Sequence, residues 1–185
     1  PRIGDNYATY NQHVASWNGG LVSVDSGGFL TIFNASGQIE RRSALLGPEG
    51  AGRLISAAVA SGDELYVVVV DANGGAYPVN LVAVNLYSGV RRTVSQLRPA
   101  SLSSWNAWHS ANLAADGDNI AYGLSRYEEP VEFGVVNRNT GALVGRRSYA
   151  TNDTQLGPSA SANRVGGLAL AEGTLFVWGR GNSLG

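Results

Sequence analysis

The stretch Leu81-Val82-Ala83-Val84-Asn85-Leu86-Tyr87-Ser88-Gly89 decides the fold, because two similar stretches occur elsewhere in the chain. The earlier one is Leu30-Thr31-Ile32-Phe33-Asn34-Ala35-Ser36-Gly37, and the later one is Phe133-Gly134-Val135-Val136-Asn137-Arg138-Asn139-Thr140-Gly141. Each is an apolar run followed by Asn, then Ser or Thr, and Gly, and the three final glycines are 52 residues apart. Asn and Gly suit the left-handed backbone of tight turns, so each stretch predicts a β-strand that leads into a hairpin.

A second motif recurs between these stretches. Residues 60–67 read Ala-Ser-Gly-Asp-Glu-Leu-Tyr-Val, and they resemble residues 115–122, residues 171–177 and, more weakly, residues 17–22. This motif also predicts a hairpin, with glycines at positions 19, 62, 117 and 173. The two motifs together have a period of about fifty residues, which is typical of one blade of a β-propeller.

The repeat predicts four strands per unit, which we call a, b, c and d in chain order. The predicted strands are 12–17, 20–25, 29–34 and 38–45 in the first repeat, 53–60, 64–71, 80–86 and 90–97 in the second, 109–115, 119–125, 131–137 and 142–149 in the third, and 164–171 and 174–180 in the fourth.

These strands predict an all-β fold, a partial β-propeller of about 3.5 four-stranded antiparallel blades. A single four-stranded sheet cannot bury both of its faces, so the repeats must stack on one another. We expect one domain or fragment over residues 1–185, with blades near 12–45, 53–97, 109–149 and 164–185, the last incomplete. A linear β-solenoid and a two-sheet sandwich are the alternatives, but solenoid repeats are usually shorter and a sandwich does not explain the period.

Composition narrows the functional classes. The net charge is −1, which gives no electrostatic footprint for nucleic acid or an anionic membrane. The longest apolar run, Leu65–Val70, is too short to cross a bilayer, so we expect no membrane insertion. The chain has no Cys, which excludes disulfides, thiolate metal sites and cysteine nucleophiles. We predict no metal and no cofactor, because no ligand constellation is recognisable.

The hairpins that contain Val82–Gly89 and Val135–Gly141 resemble the quinoprotein-type (PQQ-like) propeller repeat, which reads apolar-Ala-apolar-Asp-x-x-Thr-Gly-x-x-x-Trp. The resemblance covers about residues 12–180. It departs from the family where the docking Trp is expected, since the Arg pairs 41–42, 91–92 and 146–147 stand near that place. Enzymatic members imply a quinone held with calcium, for which this chain offers no recognisable ligands, whereas other members imply a binding or assembly scaffold.

Candidate site residues lie in and beside the long connections between repeats. The segment 101–109 contains Trp105, Asn106, Trp108 and His109, which predict an aromatic platform with polar contacts for a sugar ring, a peptide or a partner side chain. The alternative is that the Trp side chains fill gaps between blades. Counting back from the a–b glycine aligns Trp108 with Tyr10, Arg53 and Arg164, a set that could bind a carboxylate through the guanidinium groups. The alternative for these Arg residues is exposure to solvent or pairing with a loop carboxylate.

The Arg pairs fall on strand d, the outer strand of each repeat. Charged outer edges discourage strand-to-strand aggregation, and this is the reading we favour, with a repeated anion-binding patch as the alternative.

The sequence favours a non-enzymatic binding or scaffold propeller in the cell envelope or extracellular space, with a protein or glycan partner on its long-loop face. The alternative is a propeller enzyme, quinone-dependent or carbohydrate-active, whose remaining blades lie outside this chain. Because the fourth repeat has only two predicted strands, we also expect a second chain or a further segment to complete the propeller.

Overall fold

The computed structural model describes residues 13–25, 28–45, 53–71, 78–99, 108–126, 131–149 and 164–180. These residues form fourteen β-strands, and no helix able to span a membrane occurs among them. Each strand boundary lies within one residue of its predicted position, so the all-β prediction is confirmed.

The strands form four antiparallel sheets, one for each repeat of the sequence. Sheet 1 contains β1 (His13–Trp17), β2 (Gly20–Val24), β3 (Phe29–Phe33) and β4 (Ile39–Ala44); sheet 2 contains β5 (Arg53–Ser61), β6 (Glu64–Asp71), β7 (Val79–Asn85) and β8 (Arg91–Arg98); sheet 3 contains β9 (Trp108–Asp116), β10 (Asn119–Arg126), β11 (Val131–Asn137) and β12 (Leu143–Tyr149); sheet 4 contains β13 (Arg164–Ala171) and β14 (Thr174–Arg180). Every pair is formed by strands that follow each other in the chain, so each sheet is a meander.

The a–b hairpins use two kinds of two-residue turn. In sheets 1 and 4 the turns are Asn18-Gly19 and Glu172-Gly173, and both residues of each turn have positive φ, as in a type I′ turn. In sheets 2 and 3 the glycine, Gly62 or Gly117, is the first turn residue and alone has positive φ, as in a type II′ turn. When the repeats are aligned on this glycine, strand b therefore starts one residue later in sheets 2 and 3 than in sheets 1 and 4.

The c–d turns are stabilised by the repeated Asn, as the sequence predicts. In sheet 2 the Asn85 Oδ1 accepts hydrogen bonds from the Tyr87 and Ser88 backbone N–H groups at 3.1 and 2.8 Å and from the Ser88 hydroxyl at 3.0 Å. Gly89 then has a φ of 74°. Asn137 accepts the same set of bonds in sheet 3, and Asn34, in a turn that is one residue shorter, accepts from the Ser36 backbone N–H and hydroxyl and from the Gln38 N–H, so the turn is a local motif that needs no tertiary contact.

The chain divides into two compact units, residues 1–103 and residues 104–185. In the first unit sheets 1 and 2 enclose an apolar core whose buried members are Val22, Val24, Leu30, Ile32, Leu45, Ile55, Leu65, Val67, Val69, Val84 and Leu86. Trp17 packs against this core, and its ring meets the Tyr87 ring edge to face at 5.0 Å. Side chains from the first three strands of each sheet, with Leu45 after β4 and Leu86 after β7, therefore hold the two sheets together.

In the second unit a smaller core joins sheets 3 and 4. Val131, Phe133 and Leu168 are its buried members, and Ala114 and Leu175 pack against them. Two glycines admit aromatic rings into this unit. A Cβ on Gly134 would lie 2.5 Å from the Tyr122 ring, and a Cβ on Gly167 would lie 2.1 Å from the Trp178 ring. In both cases the ring crosses the neighbouring strand at a position where only glycine leaves room for it.

The Arg pairs do more than protect the outer edges. Arg41 donates to the backbone carbonyls of Leu86 and Tyr87, and Arg91 donates to the carbonyl of Leu45 at 3.1 Å, so both side chains join sheet 1 to sheet 2. Three others act within their own sheets: Arg92 pairs with Glu64, Arg146 pairs with Glu132, and Arg42 lies over the Phe29 ring. Edge protection alone, which we favoured from the sequence, is therefore an incomplete description of these residues.

Candidate functional site

In each sheet strand a begins at the end where strand b finishes, and we call this the loop end of the sheet. The connections between successive sheets, which include residues 46–52, 100–107 and 150–163, leave a sheet at this end and rejoin the next sheet there. Long connections on a rigid scaffold commonly carry binding residues, so the loop end is the place to look for a site.

Three of the predicted site residues are the first residues of their strands. Arg53 begins β5, Trp108 begins β9 and Arg164 begins β13. Arg53 and Trp108 each pair with the eighth residue of strand b, whereas Arg164 pairs with the seventh residue of β14. The backbone thus places Arg53 and Trp108 at equivalent positions and Arg164 one residue pair nearer to its hairpin turn.

The remaining parts of the predicted site lie outside the described residues. These are Tyr10, Trp105 and Asn106, together with the side chains of Arg53, Trp108, His109 and Arg164. The aromatic platform and the carboxylate-binding set therefore stay predictions.

A β-bulge lies close to the start of strand a in three of the four sheets. The pairing register skips Ser56 in β5, His109 in β9 and Gly166 in β13. A bulge bends its strand and changes the direction of nearby side chains, and bulges are frequent beside functional sites. Bulges at this place are common to sheets 2, 3 and 4, while the bulges at Glu40 in β4 and Val144 in β12 lie near the c–d turns at the opposite end.

Two buried polar atoms near this end of the first unit lack a hydrogen-bond partner among the described residues. They are the Nε2 atom of His13 in β1 and the hydroxyl oxygen of Ser56 in β5. The two strands pack next to each other. Burial lowers the pKa of His13, which favours the neutral imidazole. An unpaired buried polar atom is costly, so such atoms call for a specific explanation, such as a ligand or a bound water.

Sequence reasoning did not single out Ser56. It is a small residue in an apolar strand, and no motif surrounds it; only the bulge, which depends on pairing with β6, distinguishes it. His13 was noticeable as one of two histidines in the chain, but its burial is set by the packing of the sheets and leaves no trace in the sequence.

Two of the described carboxylates, Glu132 and Glu64, have structural partners. Glu132 is 1% exposed, accepts a hydrogen bond from the Tyr122 hydroxyl at 3.0 Å and pairs with Arg146 at 2.6 Å. Glu64 accepts from the Tyr66 hydroxyl and pairs with Arg92 at 3.0 Å. Within the described ranges no group of three or more His, Asp or Glu side chains is placed to hold a metal ion. These carboxylates therefore act in holding strands together.

No protein-family model matches the chain, and no curated protein matches it in sequence. Solved structures do resemble it. The Dos1 propeller has a TM-score of 0.58 at 10% identity, over 94% of this chain and 45% of that one. A GH43 endo-arabinanase from Bacillus licheniformis has a TM-score of 0.58 at 14% identity, over 95% of this chain and 66% of that one. BamB from Moraxella catarrhalis has a TM-score of 0.53 at 14% identity, over 93% of this chain and 45% of that one.

The chain has a β-propeller fold. The likeness to these structures, at such low identity, concerns the fold alone. Sheets 1, 2 and 3 have the four antiparallel strands of a propeller blade, and sheet 4 has two, which confirms the predicted fold class. The chain spans less than half the length of BamB and of the Dos1 propeller chain, and 66% of the arabinanase chain.

Proposed function

We propose that this protein is a non-enzymatic binding or scaffold propeller that recognises a protein or glycan partner through the loop ends of its sheets. Location in the cell envelope or extracellular space, and membership of the quinoprotein-type repeat family, belong to the same proposal. Both rest on the resemblance of the c–d hairpins to that repeat. The proteins of similar fold include an arabinanase as well as BamB, so the fold leaves both binding and catalysis open.

The observation that carries the proposal is the recurrence of a bulge near the start of strand a, at the loop end of sheets 2, 3 and 4. Bulges fall at Ser56, His109 and Gly166, each within three residues of the start of its strand. The opposite ends carry two-residue a–b turns and short c–d turns with local hydrogen bonds. Bulges are frequent next to functional sites and long connections commonly carry binding residues, so the loop end, which has both, is suited to binding.

The unpaired atoms of His13 and Ser56 also favour a binding site at the loop end. A ligand hydroxyl or amide near these atoms would offset part of the cost of burying them. Arg53 and Arg164, at the start of their strands, add the residue type best suited to a carboxylate on the partner. We therefore expect a partner rich in hydroxyl and carboxylate groups, such as an acidic oligosaccharide or an acidic peptide segment.

The proposal is tested by screening the chain against arrays of oligosaccharides and of peptides, followed by replacement of Trp105 and Trp108 with Ala. We expect the double variant to lose at least about tenfold in affinity for any compound found, which corresponds to ~1.4 kcal/mol. Its melting temperature should stay within about 2 °C of the parent, since a loss of 1 kcal/mol lowers the melting temperature by roughly 2–8 °C.

Tyr87→Ala is the matched control, because Tyr87 is an exposed aromatic residue in a c–d turn at the opposite end of sheet 2. It should leave the affinity unchanged. Full affinity in the double variant, together with a large fall in melting temperature, would show that the Trp residues are core residues and would overturn the proposal. Turnover of an oligosaccharide on the array would support the enzymatic alternative instead.

A further inference from the structure

Among the residues that the structure describes, one edge of β14, the second strand of sheet 4, is unpaired. In sheets 1, 2 and 3 strand b pairs with strand a on one side and with strand c on the other. β14 pairs with β13 alone, and none of the described residues pairs with its other edge. The backbone N–H and C=O groups along a free edge are a template for a further strand.

The side chains of β14 are more exposed than their equivalents in the other sheets. Counted from the a–b turn, Val177 is the fourth residue of its strand and is 37% exposed, whereas Ser23, Val67 and Tyr122 at the same position are at most 6% exposed. The third residue, Phe176, is 54% exposed, and its three equivalents are at most 1% exposed. Adjacent residues of a strand point to opposite faces, so both faces of β14 are more exposed than the corresponding faces of strand b in sheets 1, 2 and 3.

The unpaired edge of β14 also lacks the features that protect the outer strands. β4, β8 and β12 each contain an Arg pair and a bulge, which are devices that discourage edge pairing. β14 reads Thr174-Leu175-Phe176-Val177-Trp178-Gly179-Arg180, with a single charge at its end and no proline. Its composition is that of a strand that pairs on both sides.

In the first unit a c–d hairpin occupies the position that corresponds to the unpaired edge of β14. There the hairpin β7–β8 pairs with β6, and its residues Val84 and Leu86 belong to the same buried core as Ile32 of sheet 1. Arg41 of sheet 1 then bonds the carbonyls of the same hairpin. In the second unit Val135 corresponds to Ile32, since both lie two residues before the turn Asn; Val135 is half-buried, whereas Ile32 is 3% exposed.

We infer that the unpaired edge of β14 binds a β-hairpin of the c–d type, presented by a partner polypeptide. The hairpin has an apolar strand that pairs with β14, a turn of the Asn-x-x-Ser/Thr-Gly kind, and apolar residues at alternate positions that cover Val135 and Val177. Main-chain hydrogen bonds along β14 supply the affinity, and the apolar positions supply the specificity. This inference is independent of the proposed function at the loop ends.

The probe is a synthetic, fluorescently labelled peptide of residues 79–98, which copies the hairpin β7–β8. We expect saturable binding to the full chain by fluorescence anisotropy and slower hydrogen exchange of the β14 amides in the complex. A peptide with Val82→Pro should bind at least about tenfold more weakly, because proline removes a donor from the pairing strand. The chain variant Val177→Lys should lose a similar factor, since it places a charge against the added strand.

The matched control variant is Val90→Lys, which makes the same change at an exposed position beside the c–d turn of sheet 2, in the first unit. It should bind the peptide as the parent does. Equal binding by Val177→Lys, or no binding by the folded parent, would overturn the inference. A third outcome would also overturn it: the parent sediments as a dimer, Val177→Lys converts the dimer to monomer, and the peptide does not dissociate it. A second copy of the chain would then occupy the edge.

Discussion

His13 shows at the scale of one residue how packing changes chemistry. The imidazole lies in β1, its Nε2 atom is buried without a partner among the described residues, and burial lowers the pKa of the group. Charging this ring in the folded state means placing a cation in a poorly solvated position, whereas the unfolded chain charges it freely. Folding is therefore coupled to the protonation of His13.

The coupling gives a pH dependence with a definite sign. The pKa of His13 in the folded chain lies below its ordinary value of 6.5, so the unfolded state binds the proton first as the pH falls. The free energy of unfolding should be highest above about pH 6.5 and should decrease toward pH 5, measured by urea denaturation at several pH values.

His13→Gln removes the titrating group and keeps a polar side chain of similar size. The difference in unfolding free energy between parent and variant should shrink as the pH falls from about 7.5 to 5. A difference that stays constant over this range would show that His13 does not titrate differently in the folded chain.

Glycine and aromatic residues combine at the scale of the element. Gly134 in β11 has no Cβ, and the Tyr122 ring from β10 occupies that space, which lets the Tyr122 hydroxyl reach the buried Glu132. Glu132 in turn pairs with Arg146 on β12. One missing methyl group thus permits a hydrogen-bonded chain across three strands.

Gly134→Ala should displace the Tyr122 ring and weaken its bond to Glu132. We expect a loss of about 1–3 kcal/mol in the free energy of unfolding, the usual cost of forcing an extra carbon into a filled space. Urea denaturation of the full chain, followed by the fluorescence of its aromatic residues, measures this loss.

Gly145→Ala is the matched control, because Gly145 lies on the neighbouring strand β12 and a Cβ there would meet no atom within 4 Å. Its unfolding free energy should equal that of the parent or exceed it by up to ~1 kcal/mol, since alanine restricts the unfolded chain. Equal losses in the two variants would mean that the space around Gly134 does not matter.

The elements themselves were predictable because their signals are local. The Asn85 side chain bonds residues two and three positions ahead, so the sequence alone identifies the turn and the strands beside it. The pairing partner of Arg164 was less predictable from the sequence. The glycine is the first residue of the a–b turn in sheet 2 and the second in sheet 4, and the position of a bulge depends on the partner strand. The roles of Arg41 and Tyr122 were not predictable, because their partners are 45 and 10 residues away and depend on how strands and sheets pack.

At the scale of the molecule, contacts between sheets decide stability, and Arg41 is central in the first unit. Its guanidinium group crosses from sheet 1 to the carbonyls of Leu86 and Tyr87 in sheet 2. It joins neighbouring sheets by hydrogen bonds. Fixed geometry suits Arg to such a bridge better than Lys.

Arg41→Lys should therefore lower the free energy of unfolding by about 1–2 kcal/mol, because the ammonium group cannot bond both carbonyls in the same arrangement. Arg42→Lys is the control: Arg42 lies on the same strand, is exposed, and keeps a cation over the Phe29 ring after the change. It should cost no more than ~0.5 kcal/mol. If urea denaturation gave equal losses of unfolding free energy for the two substitutions, the bonds of Arg41 between the sheets would have no special part in stability.

The meander pairing of the sheets has a consequence for how such a chain arises and changes. Every ladder joins strands that are neighbours in sequence, so contact order within a sheet is low for an all-β protein. A gene segment that encodes one repeat carries the hydrogen-bond partners of its own strands with it. Duplication or loss of such a segment therefore adds or removes a whole sheet without breaking the ladders of the others, which is how proteins built from stacked repeats change in length.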